Sequence, residues 1–263
     1  MFLQGKRILF FSAHLFGYQN DIRLAMESVG AIVDYYDERP ANNFLVKGVI
    51  RINRNLLAGY INHYYNKIIK ETLQKEYDYV FFIKGESISA SNVRRLKQFH
   101  PEANFIIYHW DSIANNSNAQ NLLPYFDRVF SFDKIDCERL GLHFLPLFYT
   151  PDYANIPYYD KEIKYDMLFV GTTHSDRYKL VKRIEEQIIK MGGLCLTWFY
   201  FPSKILYYKM KIQNSYLRQI PVHTFHFKPM SKELLLQLYA GSRIIIDVPV
   251  SYTHLRAHET LMN

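Results

Sequence analysis

The sequence is poor in cysteine and has no long apolar run, no internal repeat and no low-complexity tract. It has two cysteines, Cys137 and Cys195, in 263 residues, which excludes a disulfide framework and indicates a reducing compartment. No apolar stretch approaches the ~20 residues that a membrane-spanning helix needs. Residues 1–6 lead directly into an apolar run, so we expect no signal peptide. These absences predict a cytoplasmic location.

Acidic residues are fewer than basic ones. The chain has 25 Asp and Glu against 32 Lys and Arg, a formal net charge of +7. This excess favours an anionic partner, such as nucleic acid, a membrane surface or a phosphorylated substrate, although solubility alone also accounts for it. The hydrophobic content of 49% and charged content of 22% are typical of a globular protein. The length allows two domains.

Short apolar runs alternate with helix-like segments along the first part of the chain. The runs predict strands at 7–12, 32–36, 79–83, 104–109, 128–132 and 143–147. The segments between them predict helices at 20–28 and 48–75, a helix capped by Ser89 or Ser91, and a helix after Asp133. This alternation predicts an α/β fold with a parallel sheet that is covered on both faces. We therefore assign residues 1–150 to a Rossmann-like N-terminal domain.

A second α/β domain is predicted at 165–249, after a linker at 151–164 that is rich in proline and tyrosine. Its predicted strands lie at 167–170, 194–201, 222–227 and 244–248, with a capped helix at 231–240 and a basic, tyrosine-rich segment at 204–218. The predicted fold class is thus α/β with two Rossmann-like parallel-sheet domains. We expect the second domain to be truncated, because a doubly wound domain should not stop after its fourth strand.

The second domain opens with a candidate anion site. Strand 167–170 is followed by Gly171, expected to break the strand, by Thr172 and Thr173, and by Asp176, expected to cap a helix. Free N–H groups and the helix dipole would then point at one spot, and Arg177 could meet a phosphate there. The alternative is an ordinary turn that binds nothing. We expect this turn to face the cleft between the domains.

Residues 250–263 change character abruptly after Pro249. They resemble the translation of a sequencing adapter, a run found at the ends of truncated metagenomic reading frames. We expect a non-native tail that packs poorly, and the alternative is a natural amphipathic tail. His254, His258 and Glu259 are therefore not interpreted as a metal site, and no other cluster has metal-ligand spacing, so we expect no bound metal.

Several motifs together resemble the CgeB-like glycosyltransferases, which are bacterial proteins of GT-B architecture. They are Trp110-Asp111-Ser112 and the stretches at 126–133, 141–149 and 169–177, and the resemblance covers roughly residues 5–249. It implies a metal-independent hexosyl transfer in surface polysaccharide or glycoconjugate synthesis. The second domain would bind a nucleotide-sugar donor as co-substrate, with no further cofactor. The first domain would bind a glycan or lipid-linked acceptor.

The resemblance also implies roles for particular residues. An acceptor hydroxyl needs a general base, and the first candidate is Asp111, at the end of a strand of the first domain. Glu86, at the neighbouring strand end, could bind the acceptor, and His14, after the first strand, could act as a base. Their structural alternatives are a helix cap for Asp111, a solvated turn residue for Glu86 and a structural histidine for His14. On the donor side the resemblance points to Gly171, Thr172, Thr173 and Arg177. It further implies a ribose-binding glutamate on a later helix, and this sequence ends before that helix.

Two other functions of the same architecture stay open: a non-catalytic nucleotide- or sugar-binding module, and a nucleotide-sugar epimerase. The segment Lys47–Lys70 bears on location, because it has no acidic residue and interleaves basic with apolar side chains. Such a helix can lie on an anionic membrane, which would suit a lipid-linked acceptor. The alternative is a core helix with a solvated basic face. No recognised nucleic-acid motif is present, and we expect no nucleic-acid partner.

Overall fold

The computed structural model of the chain describes residues 2–15, 17–116, 118–156, 162–173, 177–201, 203–213 and 215–248. They form two compact units, which meet in the sequence between Phe148 and Tyr149. The predicted adapter-like tail at 250–263, the predicted cap Asp176 and residues 157–161 of the predicted linker lie outside the described residues. Each unit is an α/β structure with its own parallel sheet, as predicted.

The first unit is built on a six-stranded sheet. Its elements in chain order are β1 (Arg7–Ser12), α1 (Tyr18–Ser28), β2 (Ile32–Asp37), α2 (Phe44–Asn53), a 3₁₀ turn (Arg54–Leu57), α3 (Ala58–Thr72), β3 (Tyr79–Ile83), α4 (Ala90–Phe99), β4 (Asn104–His109), a 3₁₀ turn (Ile113–Asn115), α5 (Ala119–Leu122), a 3₁₀ turn (Leu123–Tyr125), β5 (Arg128–Ser131), α6 (Lys134–Leu140) and β6 (His143–Phe144). Each neighbouring pair in the order β2-β1-β3-β4-β5-β6 is parallel.

Strand β1 shows why this sheet is buried on both faces. Leu9 and Phe11 lie in the core on one face, with Tyr65 of α3, while Ile8 and Phe10 lie in a separate core on the other face. Successive side chains of a strand point to opposite faces, so a strand covered on both sides must be apolar at every position. The continuous run Ile-Leu-Phe-Phe satisfies that requirement.

The helix predicted at 48–75 is interrupted. Helix α2 ends at Asn53, the 3₁₀ turn Arg54–Leu57 follows, and α3 begins at Ala58. The Asn53 side chain accepts a hydrogen bond from the Asn55 N–H at 3.1 Å, which gives the backbone an alternative to the helical pattern. The predicted cap Ser89 is confirmed, because its hydroxyl accepts from the Asn92 N–H. Asp133, which precedes the predicted helix, caps it by accepting from the Ile135 N–H.

The second unit carries a four-stranded sheet. Its elements are α7 (Pro151–Ala154), β7 (Tyr165–Thr172), α8 (Arg177–Lys190), β8 (Cys195–Tyr200), α9 (Lys204–Gln213), α10 (Ser215–Arg218), a 3₁₀ turn (Val222–Thr224), β9 (Phe225–His226), α11 (Lys232–Ala240) and β10 (Ser242–Ile245). The order β10-β7-β8-β9 makes β7 an inner strand, parallel to both neighbours. The strands predicted at 222–227 and 244–248 are shorter than expected, and the cap Ser231 is confirmed.

The expectation that Gly171 breaks its strand is wrong. Strand β7 continues through Gly171 to Thr172, and Gly171 pairs with Phe199 of β8. A Cβ at Gly171 would come within 2.9 Å of the Phe169 ring, a distance that real Cβ atoms do not tolerate. Glycine is therefore present because the buried Phe169 ring occupies the space beside it, and not because the chain turns there.

Each sheet has one topological switch point, where strands that follow each other along the chain are added to opposite sides of the sheet. In the first sheet this point lies between β1 and β3, and in the second between β7 and β10. Ligands of open α/β sheets bind beyond the carboxyl ends of the strands at such points. Across the described ranges, no helix is long and apolar enough to span a bilayer.

Candidate functional site

In the first unit, the predicted site residues follow three central strands at one sheet edge. His14 follows β1, Glu86 follows β3 and Asp111 follows β4, and these three strands are neighbours in the sheet. The carboxyl ends of parallel strands meet at the same edge. The candidates therefore share the edge where the topological switch point lies, although they differ in partners and burial.

Asp111 forms an ion pair with Lys84, whose ammonium nitrogen lies 2.6 Å from a carboxylate oxygen. The Lys84 side chain is 15% exposed, whereas that of Asp111 is 38% exposed. The carboxylate therefore remains open to a ligand while the ammonium anchors it. Lys84 was missed as a site residue, although its position directly after a predicted strand could have identified it.

Lys84 sits in an unusual backbone conformation. Its φ is 75°, and the following Gly85 has φ 63°; a non-glycine residue in this region costs of order 1 kcal/mol or more. Two asparagine side chains hold the turn, because Asn116 donates to the Lys84 carbonyl at 3.0 Å and Asn118 donates to the Gly85 carbonyl at 2.9 Å. A strained turn that its surroundings fix in this way is typical of functional sites.

Glu86 is buried and not the solvated turn residue of the structural alternative. It is 9% exposed and forms an ion pair with the buried guanidinium of Arg39. Its backbone N–H donates to both carboxylate oxygens of Glu38, at 3.0 and 3.2 Å. Removing one member of such a pair leaves an uncompensated buried charge and costs about 3–5 kcal/mol. The Glu86 side chain is thus tied to the protein, which favours a supporting role over acceptor binding.

Glu38 is completely buried behind this pair. Burial raises the pKa of Glu38 to about 8, the nearby Glu86 carboxylate adds to the rise, and Arg39 opposes it. The backbone around Glu38 is fixed as well, since the Tyr65 hydroxyl donates to its carbonyl at 2.9 Å. Glu38 and Arg39 were not predicted, yet both directly follow the end of β2 at this same edge.

His14 is exposed and bound to the buried amide of Gln19. The Gln19 Nε2 lies 2.9 Å from His14 Nδ1, while Gln19 Oε1 accepts from the Leu15 N–H at 3.2 Å. This assignment of the amide makes Nδ1 an acceptor, so the neutral ring carries its proton on Nε2. In this arrangement Nε2 of His14 offers a hydrogen-bond donor to a ligand, and the base role of His14 stays a prediction.

The loop that carries Asp111 is anchored from α6. Asp136, buried, accepts from the Ser112 hydroxyl at 3.1 Å and from the Ile113 N–H at 2.7 Å. The strand end before the loop is His109, whose burial lowers its pKa to about 4 despite Asp136 and Asp111 nearby. A neutral His109 adds no charge to the edge. Asp133, also at a strand end, is a helix cap.

In the second unit, the predicted donor-side residues lie together at the carboxyl end of β7. Arg177 donates to the Thr172 carbonyl at 3.1 Å and to its hydroxyl at 3.3 Å, and also to the Val248 carbonyl. Val248 follows β10, so the guanidinium joins the two strand ends that flank the topological switch point. The carbonyls of these two segments hold Arg177, and its predicted contact with a phosphate stays a prediction.

Thr173 is the donor-side residue with an unused polar group. It is 9% exposed, and its hydroxyl oxygen is buried with no hydrogen-bond partner in the described structure. A buried hydroxyl without a partner is costly. Helix α8 begins four residues later, at Arg177, so the hydroxyl lies close in sequence to a helix N-terminus, where anions are favoured.

The segment Lys47–Lys70 proves to hold a core helix in its second half. On α3, the apolar residues Ile61, Tyr65, Ile68 and Ile69 are buried against the sheet. Lys67 and Lys70 are exposed on the other side, which is the arrangement of the structural alternative. This apolar face packs in the protein, so it is not available to a membrane.

No set of three or more His, Cys, Asp or Glu side chains that could hold a metal ion occurs within the described ranges. No family model matches the chain. A comparison with curated proteins also gives no match.

Among the solved structures that match, one has a similar fold over most of this chain. It is an alpha-glucosyltransferase in complex with UDP and a 13-mer DNA containing a central A:G mismatch, matched with a TM-score of 0.51 at 14% identity. The match covers 90% of this chain and 70% of that one. The chain has a glycosyltransferase-like fold. At this identity the likeness concerns the fold, since function resides in the sites that a fold carries.

A second structure, from Clostridium difficile 630, is described as a transcriptional regulator. Its TM-score is 0.35 at 11% identity, over 82% of this chain and 57% of that one. This score is too low to indicate a shared fold, and nothing is argued from it.

Proposed function

We propose that the protein transfers a hexosyl group from a nucleotide-sugar donor to an acceptor hydroxyl. The observation that carries the proposal is the Lys84–Asp111 pair at the edge with the topological switch point in a glycosyltransferase-like fold, with the Asp111 carboxylate partly exposed. A carboxylate that is held in place and open to a ligand suits a general base. The resemblance to CgeB-like enzymes supports a bacterial polysaccharide or glycoconjugate as the acceptor.

In the proposed reaction, the acceptor oxygen attacks the anomeric carbon of the donor sugar. The new C–O bond forms as the bond to the diphosphate breaks, and the acceptor proton passes to Asp111. The leaving nucleoside diphosphate carries the negative charge that the reaction releases. Lys84 keeps Asp111 oriented. The Arg39–Glu86 ion pair anchors the residue that follows the Lys84–Gly85 turn.

The donor side of the proposal rests on the end of β7. The buried Thr173 hydroxyl has no partner within the described ranges, and α8 begins four residues later in the sequence; both features favour a diphosphate. Arg177 contributes positive charge while it joins the strand ends. Gly171 leaves room for the Phe169 ring, and its donor-side role stays a prediction. We take a uridine diphosphate sugar as the first donor to test, because the structural neighbour was solved with UDP. No metal is included in the proposal.

Release of nucleoside diphosphate tests the proposed transfer. The protein is incubated with uridine, guanosine and thymidine diphosphate sugars, with and without glycan acceptors, and both the diphosphate and the sugar products are measured. Transfer predicts diphosphate release that depends on an acceptor. Donor binding by calorimetry without any release would instead identify a binding module. An altered or free sugar without an acceptor would identify an epimerase.

A further inference from the structure

Helix α9 of the second unit presents an apolar stripe to solvent. Ile205 is 82% exposed, Tyr208 is 53% exposed and Ile212 is 74% exposed. Their spacing of three and four residues places them on one face of the helix. Large apolar side chains exposed singly are common, but a continuous stripe along a helix indicates a binding surface.

The opposite face of α9 already packs in the unit. Tyr207 is fully buried and contacts the rings of Phe201, Phe225 and Phe227. Its hydroxyl donates to the Ile220 carbonyl at 3.4 Å. The exposed stripe is therefore a second apolar face on a helix whose inward face is already used, and not a core face that has turned outward.

Lysines flank the stripe. Lys204 and Lys209 are both exposed, and at 100° per residue they lie on the two sides of the arc that holds Ile205 and Ile212. At the end of the helix, Arg218 donates to the Ile212 carbonyl at 2.6 Å and to the Lys211 carbonyl at 3.2 Å. The positive charge of Arg218 therefore lies at the C-terminus of α9, where the helix dipole favours a cation.

The charge around α9 has one sign over a long stretch. Residues 187–232 contain no Asp or Glu. The basic residues on α9 or after it in that stretch are Lys204, Lys209, Lys211, Arg218 and Lys228, while Lys190 ends α8 and Lys232 forms an ion pair with Asp152. Such a stretch favours an anionic partner, and the apolar stripe on α9 adds a requirement for an apolar interior.

We propose that α9 lies in the headgroup layer of an anionic phospholipid membrane. Ile205 and Ile212 would enter the acyl boundary, the amphipathic Tyr208 ring would sit at the headgroups, and the lysine stems would extend so that their ammonium groups reach the lipid phosphates. Isoleucine offers neither stacking nor hydrogen bonds to a base, so the centre of this stripe suits lipid better than nucleic acid. The proposal is independent of the proposed catalytic function.

Vesicle sedimentation tests this proposal with the whole chain. The protein is mixed with vesicles of pure phosphatidylcholine, and with vesicles in which phosphatidylglycerol replaces about one third of the lipid, a composition chosen to give a negative surface. We expect binding to the anionic vesicles only. The double variant Ile205→Ser/Ile212→Ser should lose at least tenfold in partition.

The lysines provide a second set of variants. Lys204→Gln and Lys209→Gln should each lower partition by roughly fivefold, in line with the usual contribution of a basic residue near an anionic surface. Ile189 of α8 is also exposed, at 56%, and Lys190 lies beside it. Ile189→Ser and Lys190→Gln are the matched controls and should leave partition unchanged. Circular dichroism checks that each variant is folded.

Three results would overturn the proposal. The first is equal binding to both kinds of vesicle, or anionic binding that neither the isoleucine nor the lysine variants reduce. The second is binding to a DNA duplex, by fluorescence anisotropy, in the absence of vesicle binding. The third is a dimer in sedimentation velocity that Ile205→Ser/Ile212→Ser converts to a monomer without vesicle binding, which would assign the stripe to a second copy of the chain.

Discussion

At the scale of single residues, both candidate edges have buried polar atoms without a partner among the described residues, such as Arg39 Nε and His109 Nε2 at the first edge and Thr173 Oγ1 at the second. At the edge of the first sheet, Arg39 pairs with Glu86 and Lys84 pairs with Asp111, so buried or half-buried charges have partners. At the edge of the second sheet, the buried Thr173 hydroxyl has no partner in the described part of the chain. The charged side chains at the first edge are thus held in place by their partners. At the second edge, the Thr173 hydroxyl can still donate a hydrogen bond to a ligand and accept one from it.

Thr173→Val tests the donor edge. Valine has the shape of threonine without the hydroxyl, so the variant should lower affinity for a nucleoside diphosphate sugar by about tenfold or more, the usual effect of a lost bond to a charged group. The melting temperature should not fall, because the lost hydroxyl has no partner among the described residues. Calorimetric titration and thermal unfolding measure the two effects.

Thr197→Val is the matched control for that measurement. The Thr197 hydroxyl donates to Glu185 at 3.1 Å in the same unit. Its removal should lower stability and leave donor affinity unchanged. A Thr173→Val protein that binds the donor normally would remove Thr173 from the donor site.

Glu38 gives a prediction on pH. Its pKa is about 8 in the folded protein, above the ordinary value of 4.5. The folded state therefore keeps a proton that the unfolded chain has lost, so stability is fully present below pH 4.5 and falls as pH rises through 8. Glu38→Gln mimics the neutral acid and should remove a slope on the order of 1 kcal/mol per pH unit. Thermal unfolding at several pH values measures it.

The exposed Glu102 supplies the control for the pH experiment. Glu102→Gln should keep the wild-type pH profile. If Glu38→Gln and wild type lose stability in parallel as the pH rises, Glu38 is not the group that titrates.

At the scale of elements, strands that are buried on both faces were easy to predict. The strands β1, β3 and β4 have the predicted bounds, because a double-faced burial forces apolar residues at every position. Two features escaped prediction for local reasons. The Asn53 side chain accepts a hydrogen bond from a backbone N–H and interrupts a helix. Gly171 resembled a strand terminator, but it is explained by the Phe169 ring, two residues earlier.

The packing at Gly171 changes what Gly171→Val is expected to do. A glycine needed only for the close approach of a donor would, when replaced by valine, give weaker donor binding with little loss of stability. With a Cβ placed 2.9 Å from the Phe169 ring, we now expect a loss of about 1–3 kcal/mol in the free energy of unfolding, the usual cost of overpacking. Urea denaturation measures this loss.

A double variant isolates the clash. Phe169→Leu/Gly171→Val should be less destabilised than the sum of its single variants, because the smaller side chain leaves room for valine. Additive effects would mean that the ring is not what requires glycine at 171.

At the scale of the whole molecule, each unit carries its candidate residues at the topological switch point of its own sheet. The sequence was sufficient to place Asp111, Glu86 and His14 at one edge, since alternating strands and helices imply parallel strands whose ends coincide. It could not show that Arg39 neutralises Glu86, because those residues are 47 positions apart and meet only through the β2-β1-β3 order. The roles of partners across a sheet depend on topology.

The central claim is that Asp111 takes the proton from the acceptor. The direct measurement is donor turnover by Asp111→Asn beside Asp127→Asn, since Asp127 forms a similar pair with Lys97, at 2.7 Å, before β5. We predict that Asp111→Asn loses about 10²–10⁴-fold in turnover with donor affinity unchanged, while Asp127→Asn stays near wild type. Near-normal turnover by a folded Asp111→Asn protein, or an equal loss in both variants, would contradict the claim.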